Sequence, residues 1–566
     1  MRPFESRTSG FAKTVDDWAA PGGPFCPALL TAHDEAESFP AEACAALDGW
    51  GLADHYVPTA YGGRLDGLDE THGLLRSVAS RDMTVAVAHG KTFLGGATVW
   101  VSGDGDAAAR VARHIMDGEA VSWGLTEPGH GSDLLAGDLS ATRKGAGWVL
   151  SGRKWPVNNA TRGRFVTVLA RTAPEGGPRG FSVFLVDKSA VAPEAVRHLP
   201  KMPTHGIRGA DISGVDFQDA HIPADALVGT VGQGLELVVK ALQLTRIACA
   251  ALSLGAGDHG LRLARKFLLE RRLHGRGLAE LPHARVTAGQ AVARLLLAEA
   301  VSYAAARAAH EIPEELSVVS AVTKALVPTL VQGQLRLVAE LLGARSFLTE
   351  VAEYGGFAKI ERDHQIVSIF DGSTWVNRSA LASVLPLLRP GRGSAPGPRR
   401  PITEWLSKDA GPTPLDPLRL RMMGRSESVL SELGPLVARI EADAPGGVGP
   451  LAAELHRACA ELMAEVARLR PSAGPSDTAT MRLAERYEWC FAGTVAIALW
   501  VANARYHDRP GWRDGLWLRG CLSLVLSGLG QRVPEGNSTF DELCGHLLTH
   551  GTDQVSLFDG SLEVTG

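Results

Sequence analysis

The chain has 566 residues, 45% of them hydrophobic, with 57 basic against 62 acidic residues and a formal net charge of -5. That length exceeds what one core can organise, so several packed units are expected. The near-neutral balance leaves no electrostatic footprint for nucleic acid, and the basic pair Arg399-Arg400 sits in a Pro/Gly stretch as solvated linker charge.

The opening residues, Met1 to Gly10, lack the apolar core of a secretory signal. Residues 1–119 read as a helical domain, with apolar helical patterns at 41–47 and 107–116 and a glycine-bearing break at 58–63. Between 120 and 230 the character changes to short β-type runs at 148–150, 165–170, 181–186 and 214–217, as expected for a small antiparallel β-domain. From 231 to 388 the helical period returns in long segments, 236–256, 259–272, 283–310 and 316–342, rich in Ala and Leu. Long helices with short connections predict an antiparallel bundle. The Pro/Gly-rich stretch 389–401 reads as a linker.

Residues 402–566 read as a further helical region, broken at 444–450 and 471–476. Its apolar run 490–502 is shorter than the ~17 residues of a membrane span, contains Gly493 and Thr494, and is expected to be a helix buried on all sides. The run Val367-Ser-Ile-Phe-Asp-Gly-Ser recurs as Val555-Ser-Leu-Phe-Asp-Gly-Ser, which suggests a degenerate second copy of the bundle. The seven cysteines, Cys26, Cys44, Cys249, Cys459, Cys490, Cys521 and Cys544, are scattered without metal-type spacing. They fit a reducing cytoplasm with neither a metal site nor a disulfide framework.

Two stretches carry chemistry. Trp123-Gly-Leu-Thr-Glu-Pro-Gly-His-Gly-Ser-Asp133 supplies the hydroxyl of Thr126 on an extended segment, then a glycine-rich turn with Gly131 and Ser132. Exposed backbone N–H groups beside small hydroxyls suit a phosphate-bearing cofactor. About twenty residues on, Arg153-Lys-Trp-Pro-Val-Asn-Asn159 is strand-like and offers amides beside a large ring. In this order and spacing the two resemble the flavin-binding half of the acyl-CoA dehydrogenase family, and the likeness extends over roughly residues 25–390.

The resemblance implies a mostly α chain with an N-terminal helical domain, a middle antiparallel, barrel-like β-domain and a C-terminal four-helix bundle. It implies FAD as cofactor and α,β-dehydrogenation of an acyl thioester on CoA or an acyl carrier protein. Electrons would pass to an electron-transfer flavoprotein or to O₂. The region after 401 resembles the second helical bundle of acyl-CoA oxidases and very-long-chain acyl-CoA dehydrogenases, which implies a homodimer.

Arg362-Asp-His-Gln-Ile-Val-Ser-Ile-Phe-Asp-Gly-Ser373 matches the family pattern in which a carboxylate precedes a Gly-Thr or Gly-Ser pair. The residue is usually glutamate; here it is Asp371, followed by Gly372. A base is needed because the hydrogen beside a thioester carbonyl is weakly acidic, and hydrogen bonds from the base's own backbone N–H and a ribityl hydroxyl spread the enolate charge. Aspartate is one methylene shorter, and a misplacement of ~1 Å can cost about 10²-fold in rate. Nitroalkane oxidase, a relative with this fold, works with aspartate. Asp-Gly-Ser is also a common turn. Arg246 is a neighbour of the carboxylate or thioester in this reading, and Thr245 cannot serve as the alternative helix-borne base.

For the cofactor, the resemblance sets Trp123, Leu125 and Thr126 at the flavin's pyrimidine edge and Ser132 at the pyrophosphate. Pro156 stands where the family has the tryptophan against the isoalloxazine, with Trp155 one step earlier, and Asn158 replaces a threonine. A one-residue shift sends a side chain to the opposite face of a strand, so either a bulge restores Trp155 or the pocket is altered. Arg271 and His274, with Glu340 and Gly343, match segments that reach the diphosphate of the partner subunit's FAD. Ser373 and Trp375 match contacts at the adenosine end. The departures point to a specialised, biosynthetic substrate. A flavin oxidase or monooxygenase on the same fold, and a non-catalytic binding or assembly subunit, are the alternatives.

Overall fold

The computed structural model describes residues 4–388, 400–411, 413–443, 447–471, 474, 476–508, 512–534, 536–551 and 556–558. The expected linker falls mostly outside these residues, as does most of the repeated segment 555–564.

Among the described residues, six α-helices precede the sheet. The fifth, Met83–Trp100, is buried on nearly every side and begins at Asp82, whose side chain accepts from Val85 N–H at 2.8 Å. Its small residues permit this: a Cβ on Gly95 would stand 2.5 Å from the Val121 carbonyl oxygen. The helix can therefore lie flush against the first strand of the sheet.

The sheet has eight strands. Their path runs Val196–Leu199, Ile212–Ile222, Gly147–Asn158, Ser140–Lys144, Phe165–Arg171, Phe181–Asp187 and Leu227–Val228, with Val121–Gly124 beside Phe165–Arg171. The last pairing is parallel, as is the single partnership Ser140 with Arg171, so the sheet is mixed and not the purely antiparallel one expected. The cause is topological. The chain enters as Val121–Gly124 from the helical region and needs the long crossover through 125–164 before it returns alongside. The sheet keeps its own apolar core around Trp148, Phe184 and Phe217.

Where two segments, 236–256 and 259–272, were expected, one helix of 37 residues runs Gly234–Glu270. The glycines near the expected break face neighbours: a Cβ on Gly255 would meet Ala79 Cβ at 2.5 Å, and one on Gly257 would meet Leu295 Cδ1 at 2.6 Å. Helices Pro282–Glu311 and Leu316–Leu342 follow, then Ala352–His364 and Thr374–Val384. The window of Gly234–Glu270 apolar enough to cross a membrane, and its counterpart in Pro313–Ser346, are each 78% buried inside the protein.

Among the described residues, the C-terminal region holds five longer helices, Leu433–Asp443, Val448–Val466, Thr478–Ala502, Leu516–Gly528 and Gly536–His550. The run 490–502 lies in Thr478–Ala502, buried as expected except for Ala502. One continuous core joins these helices to the bundle and the N-terminal region. The contact is tight where Gly536–His550 crosses Pro282–Glu311: a Cβ on Gly289 would fall 1.7 Å from the Phe540 carbonyl oxygen. Overpacking at such a crossing costs about 1–3 kcal/mol. Gly289→Ala is therefore expected to lower unfolding stability by at least about 1 kcal/mol in urea titrations, whereas a value unchanged from wild type would contradict the tight crossing.

Candidate functional site

A cavity of about 540 Å³ opens where the Met83–Trp100 helix, the sheet and the bundle meet. Its size is that of a ligand site, and most of its wall is apolar, with Val87, Leu94, Leu125, Ile207, Ile212, Leu242, Ile366 and Phe370 among the lining residues. Asp371, Gly372 and Arg246 occupy one end, beside Lys91. Trp123, Leu125, Thr126, Gly131, Ser132, Pro156 and Asn158 also line it. Residues far apart in sequence, assigned to base and flavin by the resemblance, thus share one cavity.

Asp371 and Gly372 both take left-handed backbone angles, φ 54° and φ 90°. For a non-glycine residue this costs of order 1–3 kcal/mol, and aspartate tolerates it better than most. The turn is held through its carbonyls. Asn377 Nδ2 donates to Gly372 O at 2.8 Å and to Ser373 O at 2.9 Å, and Arg246 Nε reaches Asp371 O at 3.4 Å. Lys324 Nζ donates to Val367 O at 2.6 Å and to Gly372 O at 3.0 Å. Ser373 caps the next helix, its Oγ accepting from Val376 N–H at 3.2 Å.

The Asp371 side chain is 12% exposed and its carboxylate is not free. Oδ2 accepts from Lys91 Nζ at 2.7 Å and from Cys249 Sγ at 2.9 Å. Lys91 also lies 3.6 Å from the centroid of Phe370, with Lys324 5.4 Å from the same ring. Burial lowers the Lys324 pKa to about 8, against the pull of Cys249 and Asp371. Burial likewise lowers Arg246 to about 10, opposed by Asp371, and drives the Cys249 thiol up so that it stays protonated and donates. None of Lys91, Cys249 and Lys324 stood out in the sequence. A lysine inside the run 83–97, whose only other polar side chains are Thr84, His89 and Thr92, was the available signal for the first.

On the opposite wall, the loop bearing Thr126, Gly131 and Ser132 rests on a buried ion pair. Lys154 Nζ meets Glu127 Oε1 at 2.6 Å and the Leu125 carbonyl at 3.1 Å. The same carboxylate accepts from Asp138 N–H at 2.7 Å and Leu139 N–H at 3.1 Å, closing the loop at its far end. Burial opposes ionisation of Glu127, yet Lys154 and the two backbone donors outweigh it and hold its pKa below the usual range. Asn158 and Asn159 tie the strand to the Met83–Trp100 helix through the carbonyls of Val87 (3.3 Å) and Ala88 (2.9 Å).

The residues fit a flavin on one internal observation. Trp123 Nε1 and Asn158 Oδ1 border the cavity, are buried, and have no hydrogen-bond partner among the described residues. A buried donor and acceptor left this way call for a polar ligand. Gly131 has open space where a Cβ would project, so the turn leaves room for a bulky group at its backbone.

One expected cavity contact, Trp155, lies elsewhere. The ladder between Gly147–Asn158 and Ile212–Ile222 is irregular between Lys154 and Val157, but this does not bring Trp155 to the cavity; Pro156 lines it instead. Trp155 turns toward Gly214, where its Cβ is 3.1 Å from a Cβ built there. Arg271, His274, Glu340, Gly343, Ser373 and Trp375 do not line the cavity. Trp375 is 69% exposed, and His274, Glu340 and Gly343 are also on the surface.

Residues 122–220 match the family described as acyl-CoA dehydrogenase, middle domain, and residues 232–385 match acyl-CoA dehydrogenase, C-terminal domain. The probable acyl-CoA dehydrogenase FadE25 of Mycobacterium tuberculosis is 25% identical over 353 residues, 62% of this chain and 89% of that protein. An acyl-CoA dehydrogenase complexed with FAD from Bacillus anthracis superposes with a TM-score of 0.72 at 16% identity, covering 98% of this chain and 94% of the other, so the similarity of fold includes the C-terminal helices. The prolyl acyl carrier protein oxidase AnaB superposes with a TM-score of 0.60 at 19% identity over 67% of this chain and 99% of its own.

Breaking a buried ion pair by neutralising one partner costs about 3–5 kcal/mol. Glu127→Gln is expected to destabilise the protein by that order near neutral pH. Because the folded pKa of Glu127 is depressed, the wild-type advantage is complete above the ordinary glutamate pKa and vanishes as pH falls through the folded value. Thermal unfolding of both proteins across an acid series checks this; a gap independent of pH would contradict it.

Proposed function

Because this chain belongs to the acyl-CoA dehydrogenase family, FAD-dependent oxidoreductases acting on CH–CH groups, we propose that it carries out α,β-dehydrogenation of an acyl thioester with Asp371 as the base. The observation that carries this reading is the shared cavity: the Asp371 carboxylate lines the same space as Thr126, Ser132 and Asn158. FAD bound there supplies the acceptor for the β-hydrogen as hydride. Thr126 and Ser132 would hold it, with the unpartnered Trp123 and Asn158 groups available to its polar edges.

The chain's own part is proton removal and orientation. Asp371 takes the proton from the carbon beside the thioester carbonyl. No described residue accepts a hydrogen bond from the Asp371 backbone N–H, which leaves it for the carbonyl oxygen of the substrate. The apolar wall excludes water around the acyl group, which strengthens both interactions. The substrate arrives on CoA or a carrier protein, and electrons leave to an electron-transfer flavoprotein or O₂. Pro156 and the aspartate at 371 support a specialised biosynthetic substrate.

The proposal includes a cytoplasmic homodimer. Seven cysteines without disulfides support the compartment. Phe347 is 88% exposed and Leu348 and Leu269 about half exposed, beside the surface residues Glu340, Gly343 and His274 that the family pattern assigns to a partner's cofactor. An aromatic ring so exposed beside two aliphatic side chains suits a covered interface.

General base catalysis contributes about 10²–10⁴-fold. Asp371→Asn is therefore expected to retain FAD while losing at least about 10²-fold in the rate of anaerobic flavin bleaching by a reactive thioester. Bleaching of the variant at the wild-type rate would remove Asp371 from the mechanism, and failure of every thioester to bleach the wild type would remove the substrate class. Sedimentation of wild type and Phe347→Asp should give dimer and monomer respectively.

A further inference from the structure

We propose that Lys91, with Cys249, is a positioning residue that sets which oxygen of Asp371 faces the substrate. The proposal rests on the reading of Asp371 as the base.

A carboxylate on a short side chain has little to fix its last torsion, because an sp³–sp² rotation is broad and nearly two-fold. Left alone, either oxygen of Asp371 could face the cavity. Here both protein donors converge on one atom: Lys91 Nζ at 2.7 Å and Cys249 Sγ at 2.9 Å meet Oδ2. Oδ1 takes no hydrogen bond from any described residue, so it is the oxygen with lone pairs to spare for a proton. The anchor is itself anchored. Lys91 sits on the face of Phe370, the residue just before the base, and its helix grips the flavin-side strand at Val87 and Ala88. Moving Lys91 relative to Asn158 would require bending the Met83–Trp100 helix.

This also answers the missing methylene. The shorter aspartate starts farther from the substrate, but its backbone takes the left-handed turn at φ 54° and its side chain is drawn to Lys91, which stands beside it at the same end of the cavity. A lysine supplied by the N-terminal region does what a longer side chain would do by reach. Two other cations, Arg246 and Lys324, approach the turn, but both bond to backbone carbonyls and leave the carboxylate to Lys91.

The experiment compares wild-type holoenzyme with Lys91→Met, Lys91→Arg and Cys249→Ala, reading FAD content, substrate affinity and the anaerobic rate of flavin reduction separately. A ~1 Å or 20° displacement of the base predicts about a 10²-fold fall in reduction rate for Lys91→Met, with FAD content and affinity within about twofold of wild type. An α-deuterated substrate should show a larger isotope effect in that variant, and Lys91→Arg should recover part of the rate. Should Lys91→Met fail to fold, Cys249→Ala loosens the same oxygen and predicts a smaller fall of the same kind. A reduction rate unchanged in these variants, or a loss confined to substrate affinity, overturns the assignment. If no thioester reduces even the wild type, the functional reading fails, and crystal structures of the variants decide the positioning claim alone. An Asp371 carboxylate that keeps its orientation without Lys91 overturns it; one that turns upholds it.

Discussion

The ion pair between Lys91 and Asp371 joins two parts of the chain 280 residues apart, and much of the molecule is arranged so that it can form. Lys91 must reach from a helix that is itself immobilised, and Met83–Trp100 is held at several points along its length. Asp82 caps its start, Asn158 and Asn159 hold the carbonyls of Val87 and Ala88, and Thr167 Oγ1 donates to Gly95 O at 2.7 Å. Asp371 in turn needs a backbone conformation that aspartate does not prefer, so Asn377, Lys324 and Arg246 grip the turn from outside. Neither end is left to find the other. Strain at the turn and rigidity in the helix are two sides of one arrangement.

Electrostatically the end of the cavity is lopsided. Lys91, Arg246 and Lys324 surround one carboxylate, and the thiol of Cys249 stays neutral because burial raises its pKa. Burial offsets part of this excess by weakening the hold of Lys324 on its proton. What remains is positive potential at the closed end of an apolar cavity. It suits a step in which negative charge develops on a thioester oxygen.

The fold was largely legible in the sequence because long apolar periods and short β-type runs are local signals. The errors lie where packing overrides local preference. The segments 236–256 and 259–272 read as two, yet Gly255 and Gly257 let neighbouring chain lie against one unbroken helix. The parallel strand pairing was invisible because it depends on where a strand returns, which no window of residues encodes. In the site, Thr126, Ser132 and Asp371 could be named because each sits in a recognisable run. Lys91, Cys249 and the Glu127–Lys154 pair could not, since each acts on a group brought near only by folding. For Trp155 strand alternation was the better guide: the irregular ladder does not restore the ring, and Pro156 lines the cavity in its place.

The C-terminal helices bear on this site through an ion pair in particular. Arg378, on the helix capped by Ser373, meets the buried Glu488 of Thr478–Ala502 through two parallel bonds of 2.8 Å each. Burial lifts the Glu488 pKa to about 7, even with the guanidinium beside it, so the clamp is drawn tight only where that acid has ionised. The helix it fastens begins three residues after the catalytic candidate. An appendage that looks like a detachable afterthought in the linear order is therefore a buttress for the helix that follows the candidate base.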